Sequence, residues 1–217
     1  MGAVTAFLPI GCALLGLLAG RLLDPVGRTG NAGRFPAAEL VTAGVFAALA
    51  ARLGPDAALP AFLYLGAVGV ALARVDLRAH RLPNAMTLPS YGIGAVLLAG
   101  AALAEGTPAP LLRALLGMVA LFGAYFLLAF LYPAGMGFGD VKLAGIVGLY
   151  LGWLGWDTWA VGAMAAFLAA GLTGVALLAG GRIRLKSAIP FGPFMLAGCL
   201  LGVLAGGPLA AYAGGVG

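Results

Sequence analysis

The sequence predicts an all-α, polytopic integral membrane protein with about eight transmembrane helices, on three observations. Its 217 residues are 63% hydrophobic and 9% charged, against roughly 25% charged residues in an ordinary soluble domain. Twelve Lys and Arg with seven Asp and Glu cannot cover the surface of a water-soluble chain of this size, so most of the surface faces lipid. The apolar residues also gather into long runs separated by short basic clusters. That pattern reads the net charge of +5 as membrane topology and not as a nucleic-acid footprint. A soluble globular enzyme is excluded.

A helix rising 1.5 Å per residue crosses a bilayer in about 17 to 25 mostly apolar residues. Runs of this kind cover 4–23, 37–51, 59–75, 88–103, 111–132, 141–156, 159–178 and 191–212. The second, fourth and sixth are short, which sets the count at six to eight. The first has no basic stretch before it and no small-residue cleavage pattern, so it reads as a retained span. Pro60, Pro83, Pro89, Pro133, Pro190 and Pro193 are read as markers of run ends, where a missing N–H does least harm. Gly16 and Gly20 offer a small-xxx-small face for close helix approach, although glycine is common in membrane helices in any case. No repeat, low-complexity tail or long polar segment interrupts the chain, so residues 1–217 are expected to form one membrane domain.

Orientation follows from the basic residues. Arg21, Arg28, Arg34, Arg74, Arg78, Arg81, Lys142, Arg182, Arg184 and Lys186 fall in or beside the odd-numbered loops; Arg52 and Arg113 are alone in the even ones. The positive-inside rule then places the odd loops in the cytoplasm and both termini outside.

The remaining chemistry is sparse. Cys12 and Cys199 are isolated in apolar runs with no CxxC, so neither a zinc site nor a disulfide framework is expected; no metal and no cofactor is predicted. His80 is the single histidine, and Ser90 and Ser187 stand in no Gly-x-Ser-x-Gly setting, which removes most of the case for Ser/His hydrolysis or HExxH chemistry. Four acids lie on the basic side: Asp24, Glu39, Asp76 and Asp140. Asp76 ends the third run in Arg74-Val-Asp-Leu-Arg78, and Asp140 closes Gly135-Met-Gly-Phe-Gly-Asp140 before the sixth. Two spans separate them, so both reach the same face. Paired carboxylates at helix ends are what an aspartyl protease requires, one drawing a proton from water while the other, protonated, polarises the scissile carbonyl.

Each residue also has a plainer reading. Asp76 between two arginines suits a juxtamembrane salt bridge, and Glu39 suits a structural partner for an arginine. His80 and Asn84 read as solvated loop residues. Gly137 and Gly139, lacking Cβ, leave room for an extended substrate beside Asp140. Lys142, two residues further on, would not share the face of Asp140 on a regular helix; positioning at headgroups and biasing the site's electrostatics both stay open. Gly137, Gly139, Lys142, Asn84 and Glu39 form the expected support around the Asp76 and Asp140 pair.

Together the motifs resemble the type IV prepilin peptidase family, membrane aspartyl proteases of the GxGD class. Asp76 followed by Arg81-Leu-Pro-Asn-Ala-Met-Thr-Leu-Pro89 resembles the family's Asp and Leu-Pro-(Asp/Asn)-x-Leu-Thr-Leu-Pro segment. Gly137-Phe-Gly-Asp140-Val-Lys142-Leu-Ala resembles its GxGDxKLxA segment, Phe35-Pro36-Ala-Ala-Glu39-Leu its aromatic-Pro-x-x-Glu-Leu segment, and Ile189-Pro-Phe-Gly-Pro-Phe194 its IPFGP segment. The resemblance implies that Asp76 and Asp140 are catalytic. It also implies cleavage of the short basic leader of prepilins or pseudopilins at the cytoplasmic face of a bacterial cytoplasmic membrane. Leader and hydrophobic helix would be the partners, with lipid around them and no nucleic acid. Many members carry a zinc-binding insertion with paired CxxC motifs in the first loop and also methylate the new N-terminus. Here that loop is about a dozen residues without cysteine. Residues 16–28 echo the family's GSFLNVVxxR stretch, but Asp24 stands where Asn is usual, so methyltransferase activity does not carry over.

Two competing readings are weaker. A presenilin-like protease predicts Tyr-Asp and Pro-Ala-Leu where this chain has Val75-Asp76 and Ile189-Pro-Phe. A small proton-coupled transporter using the same aspartates predicts carboxylates near the midplane and repeated halves.

Overall fold

The computed structural model describes residues 2–23, 36–133, 136–182 and 189–214. Among them are eight α-helices and no strand: α1 (Gly2–Leu23), α2 (Pro36–Leu53), α3 (Leu59–Ala79), α4 (Asn84–Glu105), α5 (Ala109–Leu131), α6 (Phe138–Leu154), α7 (Trp156–Ala179) and α8 (Gly192–Gly214). Each of the eight apolar runs falls within or nearly within one helix. Among the described residues, α3, α4, α5 and α7 are long and apolar enough to cross a membrane. The expectations attached to Asp24, Arg28, Arg34, Phe35, Gly135, Arg184, Lys186 and Ser187 lie outside the described residues.

The start of α4 departs from the expected boundary. The fourth run begins at 88, yet the helix begins at Asn84, behind Pro83 as its extended N-cap (φ −65°, ψ 131°). Pro89 therefore lies inside the helix and marks no end. The polar first turns hold because their side chains bond back to the helix: Thr87 Oγ1 donates to the Pro83 carbonyl (3.2 Å) and Ser90 Oγ to that of Met86 (2.7 Å). In lipid such internal satisfaction lets a helix continue past a proline and polar side chains.

Helix α6 is the hub. From Val141 to Trp153 every residue except Lys142 is buried, as expected of a helix that is apolar all round its circumference. It packs against α4, α5, α7 and α8. The most extensive pairings are α5 with α6, α7 with α8 and α1 with α2, and all three close on glycine. A Cβ on Gly117 would lie 2.7 Å from the Gly148 carbonyl, and one on Gly198 2.6 Å from the Ala166 nitrogen. In α1 the small-xxx-small face is used: Cβ atoms on Gly16 and Gly20 would come within 2.7 Å of Ala43 Cα and 2.8 Å of Glu39 Cα. With no hydrophobic drive between helices in lipid, such backbone approach is what supplies the dispersion contact.

The far end of α6 is capped from α5. Arg113 donates through Nε to the Gly152 carbonyl (2.8 Å) and through Nη2 to that of Trp153 (2.5 Å). A guanidinium there answers the unpaired carbonyls and the negative pole of the helix. Its opposite, positive pole is the end that carries Asp140.

Candidate active site

Asp140 is the third residue of α6, whose N-cap is Gly137. That position is the one from which the acidic half of a capping box faces the N-cap amide, and the Gly137 backbone N–H acts on the Asp140 carboxylate. Asp76 lies in the last turns of α3, where His80 closes the helix in the left-handed conformation (φ 50°) and donates its N–H to the Asp76 carbonyl at 2.9 Å.

The Asp76 side chain is only 5% exposed. It accepts a hydrogen bond from the Gly192 N–H (3.1 Å), and Gly192 is the first residue of α8, whose opening turn is closed by Met195 N–H on the Phe191 carbonyl (3.2 Å). Asp76 thus takes an amide that α8 cannot pair internally, while Asp140 sits in the first turn of α6, beside that helix's free amides. The fit at Gly192 is close, since a Cβ there would lie 2.7 Å from Asp76 Oδ2.

Asp76 and Asp140 open into one cavity of about 520 Å³, bounded also by the α3–α4 connection from Ala79 to Asn84 and by Gly137 and Gly139. The Asp76 charge acts on Asp140. Gly137 leaves its side open, where a Cβ would stand 3.4 Å from Asp140 Oδ2, while Gly139 faces Leu82 at 3.1 Å.

The supporting residues divide. Asn84, Gly137 and Gly139 reach the cavity. Asn84 is exposed as expected but is the first residue of α4 and not a loop residue, and its Oδ1 accepts from Lys142 Nζ at 2.7 Å. Lys142 does not line the cavity; its ammonium also lies 4.9 Å from the Phe138 ring centre. Glu39 sits half-buried in the first turn of α2, against α1 and away from the cavity lining. Two contributors carried no role in the sequence reading. His80 lines the cavity as the α3 cap, and Gly192 had only its place in the IPFGP segment, where a glycine followed by proline after an apolar pair marks a helix start. Cys12 and Cys199 are buried in separate helices.

Two carboxylates converging on one cavity with room for water and an extended chain are equipped for acid–base hydrolysis. Residues 62–179, spanning both aspartates, match the type IV leader peptidase family. A prepilin leader peptidase/N-methyltransferase of Burkholderia pseudomallei is 31% identical over 193 residues, 87% of this chain and 60% of its own length. A protein of the same description from Bacillus subtilis is 31% identical over 182 residues, covering 82% of this chain and 68% of the relative. Leader peptidase HopD of Salmonella typhimurium is 34% identical over 151 residues, 67% of this chain and 93% of the relative. No solved structure matches. The chain belongs to the type IV leader peptidase family, and it spans about three fifths of the Burkholderia relative's length.

Proposed function

We propose that the protein is a membrane aspartyl endopeptidase that removes the short basic leader of prepilins or pseudopilins at the cytoplasmic membrane face. The observation that carries this reading is the convergence of Asp76 and Asp140, 64 positions apart in sequence (140 minus 76), on one cavity. Two carboxylates facing a shared space do not ionise together, which leaves one base and one acid. The ionised carboxylate takes a proton from water as the oxygen attacks the scissile carbonyl carbon. The protonated partner hydrogen-bonds the carbonyl oxygen and gives its proton to it, forming a neutral tetrahedral diol. Collapse breaks the C–N bond: the first carboxyl returns its proton to the leaving nitrogen and the second carboxylate recovers one from the diol. The amide donor at Gly192 holds the Asp76 side chain, and the place of Asp140 as third residue of α6 turns its carboxylate to the same cavity.

The family and its leader-peptidase relatives support the substrate class, and the ten basic residues of the odd loops support a cytoplasmic site. Methyl transfer, part of the Burkholderia relative's description, is not included in this proposal for the reason given by the first loop. The test is cleavage of a purified prepilin by the full chain in lipid. Asp76→Asn and Asp140→Asn should each lower kcat by about 10²- to 10⁴-fold, the usual worth of a placed acid or base. Retained cleavage in either variant sinks the assignment.

A further inference from the structure

Tyr91 lies on α4, two turns after Asn84, and both residues hold Lys142 of α6. The Tyr91 hydroxyl donates to the Lys142 carbonyl at 2.5 Å, and Asn84 Oδ1 accepts from its Nζ at 2.7 Å. Main chain and side chain of one residue are therefore gripped by one neighbouring helix, two positions after Asp140. The ring of Tyr91 crosses α6 at Gly145, where a Cβ would run into the hydroxyl and stand 2.9 Å from Cζ. A second crossing mirrors the first: Tyr150 of α6 lies over Gly94 of α4, where a Cβ would stand 2.8 Å from its hydroxyl. The Tyr150 hydroxyl, however, is buried with no hydrogen-bond partner. Packing at the deeper crossing resists separation of the helices, while the bond at Tyr91 also sets their register.

We propose that Tyr91 is a positioning residue for Asp140, acting through the backbone of α6; this rests on the reading of Asp140 as half of the hydrolytic pair. A helix advances 1.5 Å and turns 100° per residue, so a slide or rotation of α6 by a fraction of one step carries Asp140 off the cavity. A side-chain contact alone would let the helix drift behind it. A bond to a main-chain carbonyl does not.

The test uses the full chain in lipid vesicles with a purified prepilin. Tyr91→Phe keeps the ring and removes the donor; it should lower kcat by about 10- to 100-fold, the scale of a displacement of about 1 Å, with KM within about twofold and the thermal midpoint little changed. Amide exchange over 138–142 should rise. Gly145→Ala should lower kcat in the same direction, and by less in a Tyr91→Phe background, where the hydroxyl it strikes is gone. An unchanged kcat for Tyr91→Phe, or a loss matched by KM or by the midpoint, overturns the proposal. Unchanged exchange over 138–142 overturns it by itself, whatever the substrate. Full cleavage by Asp140→Asn would instead count against the hydrolytic reading, so the two failures are told apart.

Discussion

At Gly192 the absence of one methyl group decides whether Asp76 keeps its hydrogen bond. A Cβ would sit 2.7 Å from Oδ2, inside van der Waals contact, so the carboxylate or the first turn of α8 must shift. Gly192→Ala should reduce prepilin cleavage by about 100-fold, on the scale of a displacement of about 1 Å at a reacting group. Its helix content should be unchanged by circular dichroism; full activity in the alanine variant would remove the amide from the account. The two aspartates could be read from sequence because charge is so scarce that each carboxylate in a membrane helix demands a reason. The amide could not, since it lies 116 positions from Asp76 and a backbone N–H has no signature of its own. Glu39 shows the reverse: a good motif match placed it with the pair, and α2 holds it elsewhere.

At the scale of elements, α6 is tied at both ends by neighbours, at Lys142 by α4 and at Gly152 and Trp153 by Arg113 of α5. Arg113→Met keeps much of the stem's bulk and leaves two carbonyls without their donor. It should cost about 1 to 3 kcal/mol, seen as a lower unfolding midpoint in detergent, with KM unaffected. An unshifted midpoint would show that the carbonyls find other donors. Gly148→Leu should be far worse, because the Gly117 carbonyl already occupies the space of a Cβ; loss of a folded, monodisperse protein in size-exclusion chromatography would register it. Hydropathy made the helices themselves visible, down to the short sixth run. It was blind to the first turn of α4, because polar residues that satisfy themselves internally look like a loop. It was equally blind to α6 as the hub, since an apolar run reads the same whether it meets lipid or protein.

At the scale of the whole molecule, the ten-to-two division of basic residues predicts the orientation, and several of the ten lie outside the described residues. Arg113, one of the two exceptions, has its guanidinium engaged by α6. Sided labelling tests the topology with little background, because Cys12 and Cys199 are both buried. In vesicles of known orientation, Ala85→Cys should react with an impermeant maleimide only from the cytoplasmic side and Glu105→Cys only from the other, both positions being exposed at opposite ends of α4. The reverse pattern would overturn the cytoplasmic placement of the site.

The bond between Asp76 and Gly192 also orders events in time. Ribosomes deliver α3 to the membrane long before α8, so during synthesis Asp76 waits without its amide while α4 to α7 follow it in. On the proposed mechanism a nascent chain is inert until its eighth helix docks, and a chain stopped ahead of Gly192 should bind prepilin yet leave it uncut. Adding the missing helix as a separate polypeptide should restore cleavage; activity in the shortened chain alone would show that α8 is dispensable. The Asp76–Gly192 bond would thus withhold the proposed activity until α8 is in place.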